Sequence, residues 1–380
     1  MTTMKTDEAP SRRVGPLAWR RGRRLLRTGI RAGLLLALTF PVLVAFVHLA
    51  GIRRWPFELL HHFIAQAGLI TVAVAITALL LRSPRVALPA AALALYFAVT
   101  WLTAPLPAPS MNIASASPAQ GAPTREAAAA ATTARPLSLI TNNVFVYNGR
   151  LDQLFAWLRT RPADVVVLQE VSPRLMQRLR QADDNYPYRL VAEDSYEDYD
   201  DFQMMGVGGK RTTPQAKNGW RASEATAVLS VWPILERRMP DPQTRAWQMS
   251  QVRLDMGEGL QPWIIVVHPP SPVVPGNLPV RDRIFRELAT TVPQLDGPVI
   301  VAGDFNATPY TPAFRTFVEA AGLGSFGSFP ATYPNRLRDL ALPIDHVLVR
   351  DARLVDLHAL PSIGSDHRPL SATLLLPAAG

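Results

Sequence analysis

The sequence predicts a layered α/β sandwich that follows a group of transmembrane helices. Three observations support this fold class. Three uncharged apolar runs lie before residue 103, a Pro- and Ala-rich stretch follows them, and short β-branched runs alternate with helical patterns from residue 137 onward. A chain of 380 residues is long enough for one large domain with additional segments.

The first apolar run, residues 32–52, contains 21 residues without a charge. At about 1.5 Å per residue it would span about 31 Å, which matches a hydrocarbon core of about 30 Å. Residues 63–81 and 86–102 form a second and a third run, the third being the shortest and carrying Pro89. Because three such runs follow one another closely, we predict a transmembrane region of about three helices over residues 32–103 rather than buried core helices.

The flanking charges predict the orientation of these helices. Eight arginines between residues 11 and 31 indicate a basic cytoplasmic N-terminus, residues 1–31. Three spans would place everything after residue 102 outside the cytoplasm, whereas two would leave it inside. We expect a multi-pass protein of the cell (inner) membrane with an extracytoplasmic C-terminal domain, and the lipid bilayer as its first partner.

Residues 104–136 are rich in Pro, Ala, Ser and Thr and show no periodic apolar face, so we interpret them as a linker. As a random coil this linker would reach roughly 30 Å, which keeps the following domain near the membrane surface.

The charge distribution disfavours a non-specific nucleic-acid binder. The net charge of +9 is concentrated in residues 1–136, which hold 15 Lys and Arg against 4 Asp and Glu. Residues 137–380 hold 24 against 26, a net charge of −2, and so lack a basic footprint. The chain has no cysteine, so any metal must be held by oxygen or nitrogen.

Residues 137–380 show the pattern of a folded α/β domain. Apolar runs that suggest strands within covered sheets lie at 137–146, 164–171, 225–234, 248–256, 262–270, 298–306, 344–350 and 370–376. Helical patterns lie at 149–161, 172–182, 279–292 and 311–322. Between them, residues 192–221 form a long stretch with an acidic first part and a basic end, which suggests a solvated loop or a lid over a headgroup.

Polar residues follow or open many of these strands. They are Asn143, Glu170, His268, Asp304, Asn306, Asp345, His346, Asp366 and His367. Any one of them alone could be a cap or a turn residue. Together these residues occupy six strand ends, which are expected to meet at one rim of the sheets. Carboxylates that meet there would repel one another unless a cation lies among them. Oxygen ligands without cysteine favour Mg²⁺, or Mn²⁺, over zinc.

The ordered motifs "TNNV", "LQEV", "VVHPP", "GDFN", "PIDHVLV" and "SDHRPL" resemble those of the DNase I-like endonuclease/exonuclease/phosphatase family. The likeness covers residues 137–380, and the layout of few spans before this domain is similar to a membrane-anchored bacterial subgroup. The resemblance implies a four-layered α/β sandwich and metal-dependent hydrolysis of phosphate esters. It does not choose the substrate, because the family includes nucleases, lipid phosphatases and sphingomyelinases.

The resemblance also implies roles for individual residues. Glu170 is expected to be the principal metal ligand, and Asn143 and Asp366 are expected to bind the same ion beside it, directly or through water. Asn142 is the competing choice for Asn143, but strand alternation would send it to the opposite face.

Asp304 and Asn306 are expected to orient the attacking water and to hold the phosphate. His367, paired with Asp345, and His268 are expected to face the scissile phosphate. His346 is expected to be structural, and Arg281 to be either a phosphate contact or a solvated helix residue.

The leading functional prediction is a membrane-anchored, Mg²⁺-dependent phosphoesterase that acts on a lipid-linked phosphate or pyrophosphate at the outer face of the membrane. A small-molecule or lipid-linked ester is favoured over nucleic acid as substrate. The alternatives are an extracytoplasmic endonuclease or exonuclease and a non-catalytic sensor or interaction module on the same fold.

Overall fold

The computed structural model describes residues 16–103, 134–160, 162–181, 185–191, 225–238, 249–325, 327 and 329–377. Residues 1–15, most of the predicted linker and the whole of the 192–221 stretch lie outside these ranges, so what the sequence predicts for them stays a prediction. The chain divides into two compact units. Unit 1 comprises Met1–Leu49 and Ile64–Trp101, and unit 2 comprises Ala50–Phe63 and Leu102–Gly380.

Unit 1 consists of three helices: α1 (Pro16–Leu49), α2 (Ile64–Leu80) and α3 (Pro84–Leu102). By length and composition, three segments could cross a membrane: Arg24–Leu49, Phe57–Leu80 and Pro84–Leu102. Many of their large apolar side chains are exposed, including Leu36 and Leu88, which suits helices surrounded by lipid. Pro89 lies inside α3 and does not end it.

Unit 2 contains eleven described strands in two sheets. The six-stranded sheet has the order β10-β11-β1-β2-β4-β3, and the five-stranded sheet has the order β5-β6-β7-β8-β9. The strands are β1 (Arg135–Asn143), β2 (Val165–Gln169), β3 (Tyr188–Val191), β4 (Thr226–Ser230), β5 (Ile234–Arg238), β6 (Met249–Leu254), β7 (Trp263–Val267), β8 (Val299–Asp304), β9 (Asp345–Arg350), β10 (Arg353–Ala359) and β11 (Leu370–Leu376). The helices of this unit are α4 (Leu151–Arg159), α5 (Pro173–Gln181), α6 (Asn277–Thr291) and α7 (Pro312–Ala320).

The two sheets pack face to face and carry helices on their outer faces. Alternate residues of both sheets, such as Leu139, Val167, Ile264 and Ile300, form the core between them. Helices α4 and α5 cover the outer face of the first sheet, and α6 and α7 that of the second. The protein is therefore an α/β sandwich of four layers preceded by apolar helices, which confirms the predicted fold class.

The sequence patterns miss strands at the margins of the sheets. β3 and β10 are edge strands, and β5, also at an edge, is separate from β4 although one apolar run covers parts of both. In β10 only Leu354 and Leu357 are buried, because a bulge between Leu354 and Asp356 breaks the alternation. These three edge strands bury less apolar surface than the central strands, so their signal in the sequence is weak. The fourth edge strand, β9, is almost fully buried, and the sequence predicts it.

Gly303 permits the close approach of β7 and β8. The two strands are parallel, and Val267 lies opposite Gly303. A Cβ atom on Gly303 would lie 2.0 Å from the Val267 carbonyl oxygen, and the φ angle of Gly303 is +149°. Only glycine fits this position. The residues that follow the pair are His268 and Asp304.

Candidate active site

Strand direction explains why distant polar residues meet at one rim. β1 and β2 are parallel, as are β7 and β8, and Asn143, Glu170, His268 and Asp304 stand at or just after their C-terminal ends. β9 and β11 run antiparallel to β8 and β1, so their starts lie at the same rim. Asp345 opens β9, and the loop before β11 carries two more of the predicted residues.

A cavity of about 260 Å³ at this rim collects most of the predicted site. Six of the residues predicted from the sequence line it: Glu170, His268, Asp304, Asn306, Asp366 and His367. Asn143 and Asp345 contact the lining residues: Asn143 is hydrogen-bonded to Glu170, and Asp345 to His367. The structure thus brings together all eight predicted site residues.

Asn143 and Glu170 are locked to each other. Asn143 Nδ2 donates hydrogen bonds to Glu170 Oε1 and to Asp304 Oδ2, each at 3.1 Å. Asn143 Oδ1 accepts the backbone N–H of Phe145 at 3.1 Å, and Glu170 Oε2 accepts that of Val146 at 2.9 Å. In this arrangement Asn143 bonds both carboxylates through its amide nitrogen, while its oxygen accepts a backbone N–H.

Asp304 lies between the two histidines. Its Oδ2 is 3.8 Å from His268 Nε2 and 3.7 Å from His367 Nε2. Its Oδ1 accepts the backbone N–H of Asn306 at 2.8 Å. Burial raises the pKa of Asp304 to about 7, an effect opposed by the positive charge of His367 and reinforced by Asp345.

His367 and Asp345 form a buried pair, with His367 Nδ1 2.8 Å from Asp345 Oδ2. Burial alone would lower the pKa of His367, but Asp345 and Asp304 outweigh it and raise this pKa to about 10. The imidazole therefore carries a proton on each nitrogen near neutral pH. It presents a positively charged N–H toward the cavity, held in place by Asp345.

Nearby carboxylates contribute to raised pKa values of Tyr333 and Asp366. Burial, and then the charge of Asp366, raise the pKa of the Tyr333 hydroxyl, and Asp304 and Glu170 contribute further. Burial also raises the pKa of Asp366, to which Glu170 adds while His367 opposes it. A cation placed among these carboxylates would relieve their repulsion.

Backbone strain is concentrated at this site. Phe145, Glu170 and Asn306 have φ angles of +61°, +56° and +48°, in the left-handed region that residues other than glycine rarely occupy. Such conformations cost of order ~1–3 kcal/mol each and persist only where surrounding contacts impose them. All three residues line the cavity.

The sequence profile of the endonuclease/exonuclease/phosphatase family matches residues 143–367, which is more than half of the chain. The chain belongs to this family. The family match begins at Asn143 and ends at His367, so it includes every residue of the site.

Several solved structures are similar to this family member at low sequence identity. D. rerio TDP2 carrying 14 humanizing mutations is 17% identical, covering 63% of this chain and 98% of that chain with a TM-score of 0.46. Sphingomyelinase C from Streptomyces griseocarneus is 21% identical (63% and 99% covered, TM-score 0.42). A Staphylococcus aureus beta toxin with bound magnesium ions is 15% identical (63% and 99%, TM-score 0.45). No curated protein sequence matches this chain.

The donors in the cavity of this family member fit a hard divalent cation. Among the described residues, Asp304, Asp345 and His367 place one potential ligand atom each within 4.8 Å of one another. His367 and Asp345 are already paired with each other through Nδ1 and Oδ2. The carboxylates of Glu170 and Asp366, which face the same cavity, are the better oxygen donors.

Two further residues behave differently from the site set. Asn142 is buried on the opposite face of β1 from Asn143, and its side chain has no hydrogen-bond partner among the described residues. His346 is also buried, with Nε2 2.8 Å from the Ala307 carbonyl oxygen and its ring packed against Phe305 and Phe314. Its surroundings are those of a core residue.

Sequence reasoning missed the residues that hold the site loops. Ser365 Oγ donates to the Asn143 carbonyl oxygen at 2.6 Å and accepts the N–H of His367 at 3.0 Å, which ties the last motif to the first. The position of Ser365 directly before "DH" was the available signal. Arg281 is fully buried and bonded to Glu58, so the expectation that it contacts phosphate or is solvated is wrong. No local pattern signalled this pair.

Proposed function

We propose that this protein is a membrane-anchored, metal-dependent phosphoesterase whose substrate is a lipid-linked phosphate or pyrophosphate at the outer face of the membrane. The observation that carries the proposal is the convergence of Glu170, Asp366, Asp304 and two histidines on one cavity. Membership of the endonuclease/exonuclease/phosphatase family supports the same chemistry.

Glu170 and Asp366 would hold the cation, which we propose to be Mg²⁺ with Mn²⁺ as a substitute. Asn143 orients Glu170 and Asp304 through its amide group. When bound, the cation would neutralise charge on the phosphate oxygens and so lower the barrier to attack by a nucleophile.

The remaining residues would carry the hydrolysis itself. Asp304 orients a water molecule and takes one of its protons as the water oxygen bonds to phosphorus. The ester P–O bond breaks, and the leaving oxygen is protonated from solvent. His367, held protonated by Asp345, stabilises the charge that grows on the phosphate, while His268 and Asn306 bind the phosphate oxygens.

A long-range contact supports the outer-face location. Glu58, which lies between α1 and α2 in the chain, accepts a hydrogen bond from Arg281 of the catalytic domain at 2.6 Å. In the proposed topology both residues lie on the same side of the membrane, with α2 and α3 returning the chain to that side. With the basic N-terminus in the cytoplasm, this parity favours three spans and an external domain.

The lip of the cavity supports an amphiphilic substrate. Val273 lines the cavity and is 66% exposed, and its neighbour Val274 is also exposed. Adjacent exposed apolar side chains beside a polar site suit a ligand with a hydrocarbon part. The net charge of −2 over residues 137–380 gives a long polyanion such as DNA no electrostatic advantage.

The test is a substrate panel assayed with the full chain in lipid nanodiscs, with Mg²⁺ and with EDTA. We expect Mg²⁺-dependent phosphate release from a polyprenyl pyrophosphate, and little hydrolysis of plasmid DNA or sphingomyelin. Glu170→Gln and His367→Gln should each reduce the rate by ~10²–10⁴-fold. Their matched controls, Glu236→Gln and His358→Gln, change exposed residues of the same types and should retain activity.

Preferential cleavage of plasmid DNA would contradict the lipid proposal and show that the protein is a nuclease. Absence of hydrolysis across the panel would favour a non-catalytic module. Independently, a reporter fused after residue 380 should be active only in its extracytoplasmic form, and activity of a cytoplasmic reporter would contradict the three-span topology.

A further inference from the structure

Arg281 of α6 is a buried cation with a specific set of partners. Its exposure is 0%. Nη2 donates to Glu58 Oε1 at 2.6 Å and to Asp282 Oδ1 at 3.0 Å, and Nη1 donates to the carbonyl oxygen of Asn306 at 3.3 Å. A guanidinium with no access to water requires paired negative charge, and Glu58, itself 2% exposed, is its closest partner.

The third acceptor of Arg281 belongs to the cavity. Asn306 has a left-handed backbone, donates its N–H to Asp304 Oδ1 at 2.8 Å, and donates from Nδ2 to the carbonyl oxygen of Pro269 at 3.0 Å. Asn306 therefore connects Asp304 with the loop that follows His268. Because a strained conformation needs contacts on several sides, the bond from Arg281 to its carbonyl oxygen helps to hold this arrangement.

Glu58 comes from a distant part of the chain. It lies in the short 3₁₀ helix Phe57–Phe63, within the connection between α1 and α2, and is 223 residues away from Arg281 in sequence. The same connection makes a second contact with α6, from Arg53 Nη2 to Asp282 Oδ2 at 3.5 Å. Arg53 is half exposed, so this outer pair contributes little and the buried Glu58 carries the interaction.

We propose that the connection between the first two membrane helices supports the active site: Glu58, acting through Arg281, positions Asn306 and with it Asp304. Glu58 and Arg281 are positioning residues, since neither lines the cavity. The inference deepens the proposed hydrolytic function and rests on it for its catalytic consequence. It makes the connection between the first two membrane helices a part of the catalytic unit.

A purely structural role for the pair makes a different prediction. If Glu58 and Arg281 only dock the connection onto the domain, any substitution that preserves stability preserves activity. If they position Asn306, activity falls even when stability is kept. Two variants separate these cases. Glu58→Gln leaves the buried guanidinium without its main counter-charge, whereas the double variant Glu58→Leu/Arg281→Met replaces both charges by apolar groups of similar size.

Replacement of a whole buried ion pair by apolar side chains is often neutral for stability, whereas removal of one partner is costly. We therefore expect a clear fall in Tm for Glu58→Gln and a Tm close to that of the wild type for the double variant. The double variant still lacks the donor to the Asn306 carbonyl oxygen. Its kcat should fall ~10–100-fold with KM nearly unchanged, because a displacement of the reacting groups by about 1 Å costs this much.

The measurements use the full chain in nanodiscs, with bis(4-nitrophenyl) phosphate and 4-nitrophenyl phosphate as probes. Hydrogen–deuterium exchange across residues 304–307 reports on the loop without any need for activity. The matched control is Glu287→Leu/Arg283→Met, which makes the same changes at a partly exposed pair on the same helix. It should leave kcat and the exchange of residues 304–307 unchanged.

Faster exchange at residues 304–307 together with a lower kcat in the stable double variant would support the proposal. Wild-type exchange, or faster exchange with wild-type kcat, would overturn it. If the wild-type chain hydrolyses neither probe nor any member of the substrate panel, the proposed function fails, and the exchange data alone then decide whether Glu58 and Arg281 hold the loop.

Discussion

Gly303→Ala tests the claim that the approach of β7 and β8 builds the site. The added methyl group would lie 2.0 Å from the Val267 carbonyl oxygen and 3.0 Å from its carbonyl carbon. Both atoms are backbone, so they cannot move away as a flexible side chain could. The strands must separate, or Gly303 must leave its φ of +149°.

Two costs add in this substitution. An alanine held in a glycine-only backbone conformation costs ~1–3 kcal/mol, and forcing a methyl group into packed surroundings costs ~1–3 kcal/mol more. We therefore expect a loss of about 4 kcal/mol of unfolding free energy. For a domain of this size each kcal/mol lowers Tm by ~2–4 °C, so the expected fall is ~8–16 °C. Because Asp304 and His268 directly follow the two residues in contact, activity should fall as well.

The assay is thermal unfolding of the full chain followed by the hydrolysis panel. Gly322→Ala is the matched control, since its φ of +63° is also left-handed but a Cβ there would meet no atom within 4 Å. It should lose only the conformational cost, about 1–2 kcal/mol. Equal Tm values for the two variants would refute the steric argument, because the contact with Val267 would then contribute nothing.

Three further outcomes are expected. Asp345→Asn removes the carboxylate that raises the pKa of His367 to about 10, so the alkaline limb of the kcat/KM profile should move to lower pH; an unmoved limb would separate the pair from catalysis. Burial lowers the pKa of His346 to about 4, below its ordinary 6.5, so the folded protein should lose ~3 kcal/mol of stability as pH falls from about 6.5 to about 4. His346→Gln can still donate to the Ala307 carbonyl oxygen, and it should reduce the fall in Tm over this pH range. If the Tm of the variant falls as much as that of the wild type, another group causes the loss of stability. Mg²⁺ should raise the Tm of EDTA-treated protein, since a ligand of the folded state stabilises it, and Glu170→Gln should abolish the rise; a full rise in that variant would remove Glu170 from the metal site.

The sequence by itself indicated the membrane-length helices, the central strands and the polar residues at the strand ends. Apolar runs and their periodicity are local properties, so the membrane-length helices and the central strands could be predicted from them. The polar residues that interrupt the strands are local too, which is why the eight residues that meet at the cavity could be selected from the sequence. Their meeting at one rim follows from strand direction, which alternating strand and helix patterns already suggest.

Tertiary structure alone decided how these residues are held. The orientation of the Asn143 amide depends on which of its neighbours donates a hydrogen bond, and the requirement for Gly303 depends on a strand that is distant in sequence. The edge strands β3, β5 and β10 form because the sheet offers them a partner, although their own apolar signal is weak.

The contact between Glu58 and Arg281 shows the limit most clearly. In the sequence, Glu58 lies between the first two apolar runs, and Arg281 is expected to be either a phosphate contact or a solvated helix residue. Only the fold brings Arg281 Nη2 to 2.6 Å from Glu58 Oε1. At this distance each charge offsets the cost of burying the other. Pairing of this kind is a property of two distant segments together, and no local pattern in either segment contains it.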